Sequence, residues 1–208
     1  MTASTSTPST EHKDFLSREV TFTKVLKALE PNHKTHMIAL CGMGGVGKTT
    51  MTKRLKMVVQ ERKIFIFIVE AVIGERTDPI AIQEAIADYL SVELNQKTKS
   101  ARAEKLRQEF KAKSDGGKNK FFVILDDVWQ FVDLEDIGLS LFPNQGVDFK
   151  VLLTSRDTNV CTMMGVDDNS IHNIGLLTGA EAQSLFHQFV ETSDPELHKI
   201  GKDIVRKM

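Results

Sequence analysis

Apolar residues along this chain keep two rhythms. Four segments carry them almost without a break: Met37-Ile38-Ala39-Leu40, Ile64 to Val69, Phe121-Phe122-Val123-Ile124-Leu125, and Phe149-Lys150-Val151-Leu152-Leu153. Short uninterrupted runs of this kind are the pattern of strands covered on both faces, which belong to parallel sheets. Elsewhere the spacing lengthens to three and four, the period of a helix with one buried face. Phe22, Val25, Leu26 and Leu29 form such a stripe, ended by Pro31. Met51, Leu55, Val58 and Val59 form a second, and Ile82, Ala85, Ile86, Tyr89 and Leu90 a third. Ala103, Leu106 and Phe110 mark a fourth, whose remaining Lys, Arg and Glu residues read as a solvated face. Ile171 to Leu176 adds a short strand or connector. Strands alternating with helices predict an α/β fold, three layers deep, around a mostly parallel five-stranded sheet.

Both ends depart from this alternation. Residues 1–12 are mostly Ser, Thr and Pro, too poor in apolar side chains to offset the entropy of ordering, and are predicted to be a disordered tail. Late in the chain, Thr178-Gly179-Ala180-Glu181 has the form of a capping box. Ala182, Leu185, Phe186, Phe189 and Val190 continue from it at helical spacing. Asp194-Pro195-Glu196 opens another helix with Leu197, Ile200 and Ile204 on one face, and no Gly or Asn closes it before Met208. We therefore expect a main domain over 13–176 and, over 177–208, the start of a second, helical module that is cut short.

Composition narrows the functions. A chain of 208 residues with 41% hydrophobic content can bury one good core and part of another. The formal net charge of -1 offers no electrostatic case for nucleic acid. No apolar run approaches the ~20 residues of a membrane span, and the N-terminus lacks a signal peptide's apolar centre, so a cytoplasmic protein is expected. Cys41 and Cys161 lack C-x-x-C spacing, and the six His residues show no metal-ligand spacing.

The candidate chemistry starts where the first strand meets the first glycine loop. Gly42-Met43-Gly44-Gly45-Val46-Gly47-Lys48-Thr49-Thr50 fits G-x-x-x-x-G-K-[ST], with a strand before it and a helix after it, as a phosphate loop requires. The glycines let several backbone N–H groups point into one concavity, and the helix N-terminus adds roughly half a positive charge. A polyphosphate suits such a nest. Lys48 would reach the β- and γ-phosphates, the Thr49 hydroxyl would ligate Mg²⁺, and Thr50 would touch the α-phosphate. Gly44 and Gly45 allow close approach and positive φ. The fold class is therefore that of a phosphate-loop NTPase.

Two later strands end in polar residues. Asp126 and Asp127 follow Phe121 to Leu125, where buried carboxylates are costly unless they have partners. Asp126 would hold Mg²⁺ through water, and Asp127 could orient or deprotonate an attacking water; the alternative is a pair of acids capping the next turn. Arg156 follows Leu153-Thr154-Ser155 and could read a γ-phosphate, the alternative being a surface ion pair with Asp157. Trp129 reads as a packing residue beneath the following loop.

Taken in order, the phosphate loop, Leu125-Asp126-Asp127-Val128-Trp129, Leu153-Thr154-Ser155-Arg156 and Leu177-Thr178-Gly179-Ala180-Glu181-Ala182 with Leu185-Phe186 resemble the motifs of the NB-ARC nucleotide-binding domain of plant NBS-LRR disease-resistance proteins. The Asp-Asp-Val-Trp form resembles the coiled-coil branch, with the general flavour of lettuce resistance-gene candidates. The resemblance implies a switch in defence signalling. ADP would hold a resting state, ATP would open the protein toward self-association, and slow, regulatory ATP hydrolysis would reset it. By position, it implies that Arg18 lies by the nucleotide, that Gly42, Gly44, Gly45, Val46, Gly47, Lys48, Thr49 and Thr50 bind it, that Thr49 and Asp126 serve Mg²⁺, and that Lys48, Asp127 and Arg156 act on the phosphates. Ser17-Arg18-Glu19 stands where the family has a Gly-Arg pair. The family's coiled-coil, winged-helix and leucine-rich-repeat regions are missing from this sequence and are the expected partners. Two alternatives remain at this stage: a stand-alone phosphate-loop ATPase or kinase, and a nucleotide-inactive fragment acting through protein contacts. Thr154-Ser155-Arg156-Asp157 echoes the guanine-reading [NT]-K-x-D pattern, but Ser155 stands in place of its lysine, which favours adenine.

Overall fold

The structure, a computed structural model, describes residues 15–31, 33–140 and 146–189. The expected tail and the helix beginning at Asp194 lie outside these residues. The chain divides into two compact units, one of residues 21–175 and a smaller one grouping 1–20 with 176–208.

In the larger unit β1 (Met37–Cys41) leads through the glycine loop into α2 (Lys48–Glu61), which follows α1 (Leu16–Ala28) in the chain. Then come β2 (Phe67–Gly74), α3 (Pro79–Leu90), α4 (Lys99–Lys113), β3 (Lys120–Val128), β4 (Asp148–Ser155), the short α5 (Thr158–Met163), a 3-10 turn at Asp168–Ser170, and β5 (Ile171–Asn173). The five strands lie in the order β2-β3-β4-β1-β5, every pair parallel. Alternation along the strands divides the core. Phe121, Val123 and Leu125 pack with Val151, Leu153 and Ala39 against Ile82, Ile86, Leu90, Leu106 and Phe110 of α3 and α4. Phe122, Ile124, Leu152, Ile38 and Leu40 pack on the other face against Phe22, Val25, Leu26, Met51, Leu55 and Val59 of α1 and α2. The result is the predicted three-layer α/β sheet.

Two features differ from expectation. The second strand begins at Phe67 rather than Ile64 and runs on to Gly74. The reason is the end of α2: Lys63 adopts φ 52 and donates its N–H to the Gln60 carbonyl, while Ile64 donates to Val59. This paired closure is a Schellman motif, and it draws Ile64 into the helix cap. Phe65 stacks on Phe122 at 5.3 Å, but Ile66 and Val72 are 64% and 69% exposed. β2 is therefore an edge strand, covered less completely than its apolar run implies. The second difference is on α4, whose charged positions are not all solvated. Arg102 is buried, donating from Nε to Gln83 Oε1 at 3.0 Å and from Nη1 to the Leu94 carbonyl at 3.3 Å. Gln83 in turn donates to the carbonyls of Lys99 and Asp136, so a polar node ties α3, α4 and the loop after β3 together.

Lys150 interrupts the apolar run of β4 for a similar reason. Its buried ammonium donates to the carbonyls of His33 and Thr35, satisfying the loop that enters β1, and burial lowers its pKa. In the smaller unit the capping box forms as read: Glu181 N–H donates to Thr178 Oγ1 at 3.3 Å and Thr178 N–H to Glu181 Oε2 at 2.9 Å, opening α6 (Gly179–Phe189). Backbone donation from Ser17 and Thr178 holds the Glu181 carboxyl at about 2.

Phe121 is fully buried, stacked on Phe67 at 4.9 Å and edge-on to Phe110 at 5.1 Å. Phe121→Ala leaves a cavity between sheet and helix, and urea denaturation is expected to show a loss of about 3–5 kcal/mol.

Candidate functional site

Parallel β1, β3 and β4 lie side by side and end at one edge of the sheet, where an α/β fold places its ligands. β1 ends at Cys41, and the first loop residue is held from two sides. Gly42 N–H donates to the Ser155 carbonyl at 3.2 Å, and Ile174 N–H donates to the Cys41 carbonyl at 2.7 Å. A Cβ on Gly42 would stand 2.3 Å from the Ile174 carbonyl oxygen, so no other residue fits without moving β5. Gly45 and Gly47 take φ 78 and 97, the left-handed region that L side chains rarely occupy. Val46 between them is buried in the core beneath α2.

Gly47 caps α2 without a side chain to accept its first N–H groups, and no acid lies in the first turn. These donors are left for an external acceptor. Lys48 is 7% exposed, and its Nζ donates to the carbonyls of Gly42 at 2.8 Å and Met43 at 2.9 Å. Burial lowers its pKa, as does the charge of Arg156, while Asp127 and Asp126 oppose the shift. Thr49 and Thr50 follow on the first turn of α2, both exposed. Together these residues supply N–H and ammonium donors of the kind a polyphosphate takes.

Facing the loop is a hydroxyl and carboxylate chain. Thr49 Oγ1 donates to Asp126 Oδ2 at 3.1 Å, and Thr154 Oγ1 donates to Asp126 Oδ1 at 2.6 Å. Thr154 also accepts the Asp127 N–H at 2.9 Å, so one hydroxyl fixes both acids. Asp126 is buried and its cost is offset by these bonds. Asp127 is different. Against β4, Leu125 pairs with Leu153 and Val128 with Ser155, so β3 carries one extra residue, a β-bulge. Asp127 sits in it at φ 57, which turns its carboxylate out of the strand to 38% exposure. The acids therefore do not cap a turn: one is locked inside and the other projects. Thr49 Oγ1 and Asp126 supply hard oxygen donors of the kind Mg²⁺ takes alongside phosphate oxygens. Among the described residues no group of three or more His, Cys, Asp or Glu could hold a metal.

Arg156 completes the edge. Its Nε lies 3.8 Å from Asp127 Oδ1, and its guanidinium carbon lies 4.2 Å from the centroid of the Trp129 ring. Arg156 makes this ion pair with Asp127 and not with Asp157, which accepts the Asn159 N–H at 2.8 Å as the N-cap of α5. Trp129, read from the sequence as a packing residue, is half-buried here and lies against Arg156. A half-exposed cation–π contact is worth about 0.5–1 kcal/mol, less than the roughly 1.5–3 kcal/mol of a hydrogen bond to a charged group. Arg18 belongs to the smaller unit, where burial lowers its pKa and the Glu181 charge opposes. The sequence names Thr154 and Ser155 as parts of motifs but not the Thr154 bonds to Asp126 and Asp127 or the Ser155 bond to the Val128 carbonyl, for which polar residues ending a buried strand are the available signal. Cys41 and Cys161 are buried and free; burial first, and Cys41 second, push the Cys161 thiol up to about 12, which leaves it inert.

The NB-ARC domain family model matches residues 18–196. A probable disease resistance protein of Arabidopsis thaliana, At4g14610, is 31% identical over 82% of this chain and 24% of its own length. The disease resistance protein UNI of the same plant is 31% identical over 82% of this chain and 19% of its own. The chain thus spans about a quarter or less of these relatives. Among solved structures, Cdc6p from Pyrobaculum aerophilum aligns at TM-score 0.61 and 17% identity, over 86% of this chain and 51% of that one. The Aeropyrum pernix ORC1 protein, solved in complex with DNA, aligns at TM-score 0.65 and 13% identity, over 91% and 55%. At such identities the likeness shows the fold alone, that of P-loop ATPases.

Thr154→Val keeps the shape of the side chain but removes the hydroxyl that serves Asp126 and the Asp127 N–H. A loss of about 1–3 kcal/mol in chemical denaturation is expected, because both partners then lack a bond in a buried site.

Proposed function

This chain belongs to the NB-ARC domain family, and from its site we propose that it is the ADP- and ATP-binding switch domain of a cytoplasmic plant immune receptor, with slow ATP hydrolysis as the reset. The observation that carries this reading is the Thr49 to Asp126 contact at 3.1 Å, beside the uncapped N-terminus of α2. It brings a hydroxyl and a carboxylate together next to an array of N–H donors, an arrangement that serves a metal–polyphosphate and little else.

In this reading the N–H groups of Gly44 to Thr50 and the Lys48 ammonium hold the phosphates, with Gly42 admitting the close approach. Thr49 and Asp126 hold Mg²⁺, which when bound neutralises phosphate charge. Asp127, projecting from its bulge, orients water and takes its proton, and Arg156 lies where a third phosphate can be read. Arg18 is proposed as a further contact to the nucleotide on family position alone. A hydrolysis rate set by one exposed carboxylate suits a timer better than a metabolic enzyme. Recognition of a pathogen signal and self-association in the ATP state belong to the proposed longer receptor.

Two measurements test the reading. Fluorescent ADP should bind the full chain, and Lys48→Ala should weaken it about 10- to 100-fold, the loss of a charge-assisted contact; undiminished binding would remove the phosphate loop from the account. In single-turnover assays Asp127→Asn should keep ATP affinity and slow hydrolysis by about 100-fold, whereas unchanged turnover would deny Asp127 its role.

A further inference from the structure

Arg156 is held by an unusual set of neighbours. One face of its guanidinium lies over the Trp129 indole, 4.2 Å from carbon to ring centroid. The guanidinium also packs close to the backbone of the phosphate loop: a Cβ built on Gly44 would lie 3.4 Å from Nη1 and 3.5 Å from Cζ, ordinary contact distances. Its acid, Asp127, is 3.8 Å from Nε, an ion pair longer than a hydrogen bond. The side chain is 48% exposed, and its charge works against the nearby Lys48 ammonium. A cation beside a second cation, retained by a ring face and a distant carboxylate, is loosely held. A fresh anion within reach draws it away, since charge-assisted bonds exceed a half-exposed cation–π contact.

We propose that Trp129 is a positioning residue that parks the Arg156 guanidinium on its indole face and yields it only to a third phosphate, so that this aromatic contact sets the balance between nucleoside diphosphate and triphosphate. The inference rests on the nucleotide reading above. It gives Trp129 a role that packing alone does not require. Competition fixes the sign. The triphosphate must break the indole contact before it gains the arginine, and the diphosphate need not, so the tryptophan favours the diphosphate-bound state.

Trp129 is the single tryptophan in the chain, so its emission reports on its own ring face. Acrylamide quenching of the full chain is expected to rise with a non-hydrolysable ATP analogue and stay unchanged with ADP. Arg156→Ala should show the raised quenching with no nucleotide present, a readout independent of binding and turnover. Trp129→Leu should raise affinity for the ATP analogue up to about fivefold at constant ADP affinity, and Trp129→Phe, which keeps a ring face, should restore most of the original ratio. Equal quenching with the two nucleotides, both bound, would overturn the parking role while leaving the nucleotide switch intact. Equal quenching of Arg156→Ala and the unsubstituted chain would overturn it too, as would a fall in ATP-analogue affinity in Trp129→Leu. Failure of the unsubstituted chain to bind either nucleotide would sink both readings together.

Discussion

A carboxylate sealed at the end of a parallel strand must find hydrogen-bond donors or forfeit several kcal/mol, and in this molecule that requirement falls on Asp126. It is met by one hydroxyl from the helix after the glycine loop and one from the neighbouring strand. Those two bonds work only if β1, β3 and β4 are adjacent, parallel and in register, because Thr49 and Thr154 reach the acid from different elements. The sheet order β2-β3-β4-β1-β5 can be understood from this point outward. It sets the loop after β1 next to the acids ending β3, with β4 between them supplying the threonine and the arginine.

The same neighbourhood shows what the sequence could and could not reveal. Gly42, Gly45 and Gly47 were legible because backbone demands for positive φ or for an absent Cβ leave glycine almost no substitute. The buried strands were legible because a sheet covered on both faces has no need of polar positions. Asp127 in its bulge was not, since one inserted residue changes register without changing the apolar pattern, and only the neighbouring strand records it. Lys150 and Arg102 were hidden for a related reason: a long cationic side chain looks solvated in a sequence until backbone carbonyls or an amide are found waiting for it. The start of β2 was misplaced because helix closure at Lys63 uses the first apolar residue of the run. Asp127 as the acid beside Arg156 was likewise hidden, since the neighbouring strand brings it there while the adjacent Asp157 caps a helix.

Family and geometry speak at different levels. Identity of 31% to plant disease resistance proteins assigns the domain, while resemblance at 13–17% to Cdc6p and ORC1 assigns only the fold they share. What the site itself adds is a division of labour among three charged side chains. Lys48 and Asp126 are buried and hydrogen-bonded, whereas Arg156 is half-exposed with its nearest acid 3.8 Å away. A device that distinguishes ligands differing by one phosphate needs such an asymmetry, with a rigid cradle for what the two share and a loose element for what they do not.

The left-handed backbone at Asp127 has a consequence for how this domain can change over time. Holding an L residue there costs about 1–2 kcal/mol, which glycine would not incur, so the position that projects this carboxylate is also one where losing it makes the fold more robust. Selection for thermal tolerance therefore pulls against keeping a carboxylate at this one residue, and a lineage with no use for the acid would be expected to lose it there first.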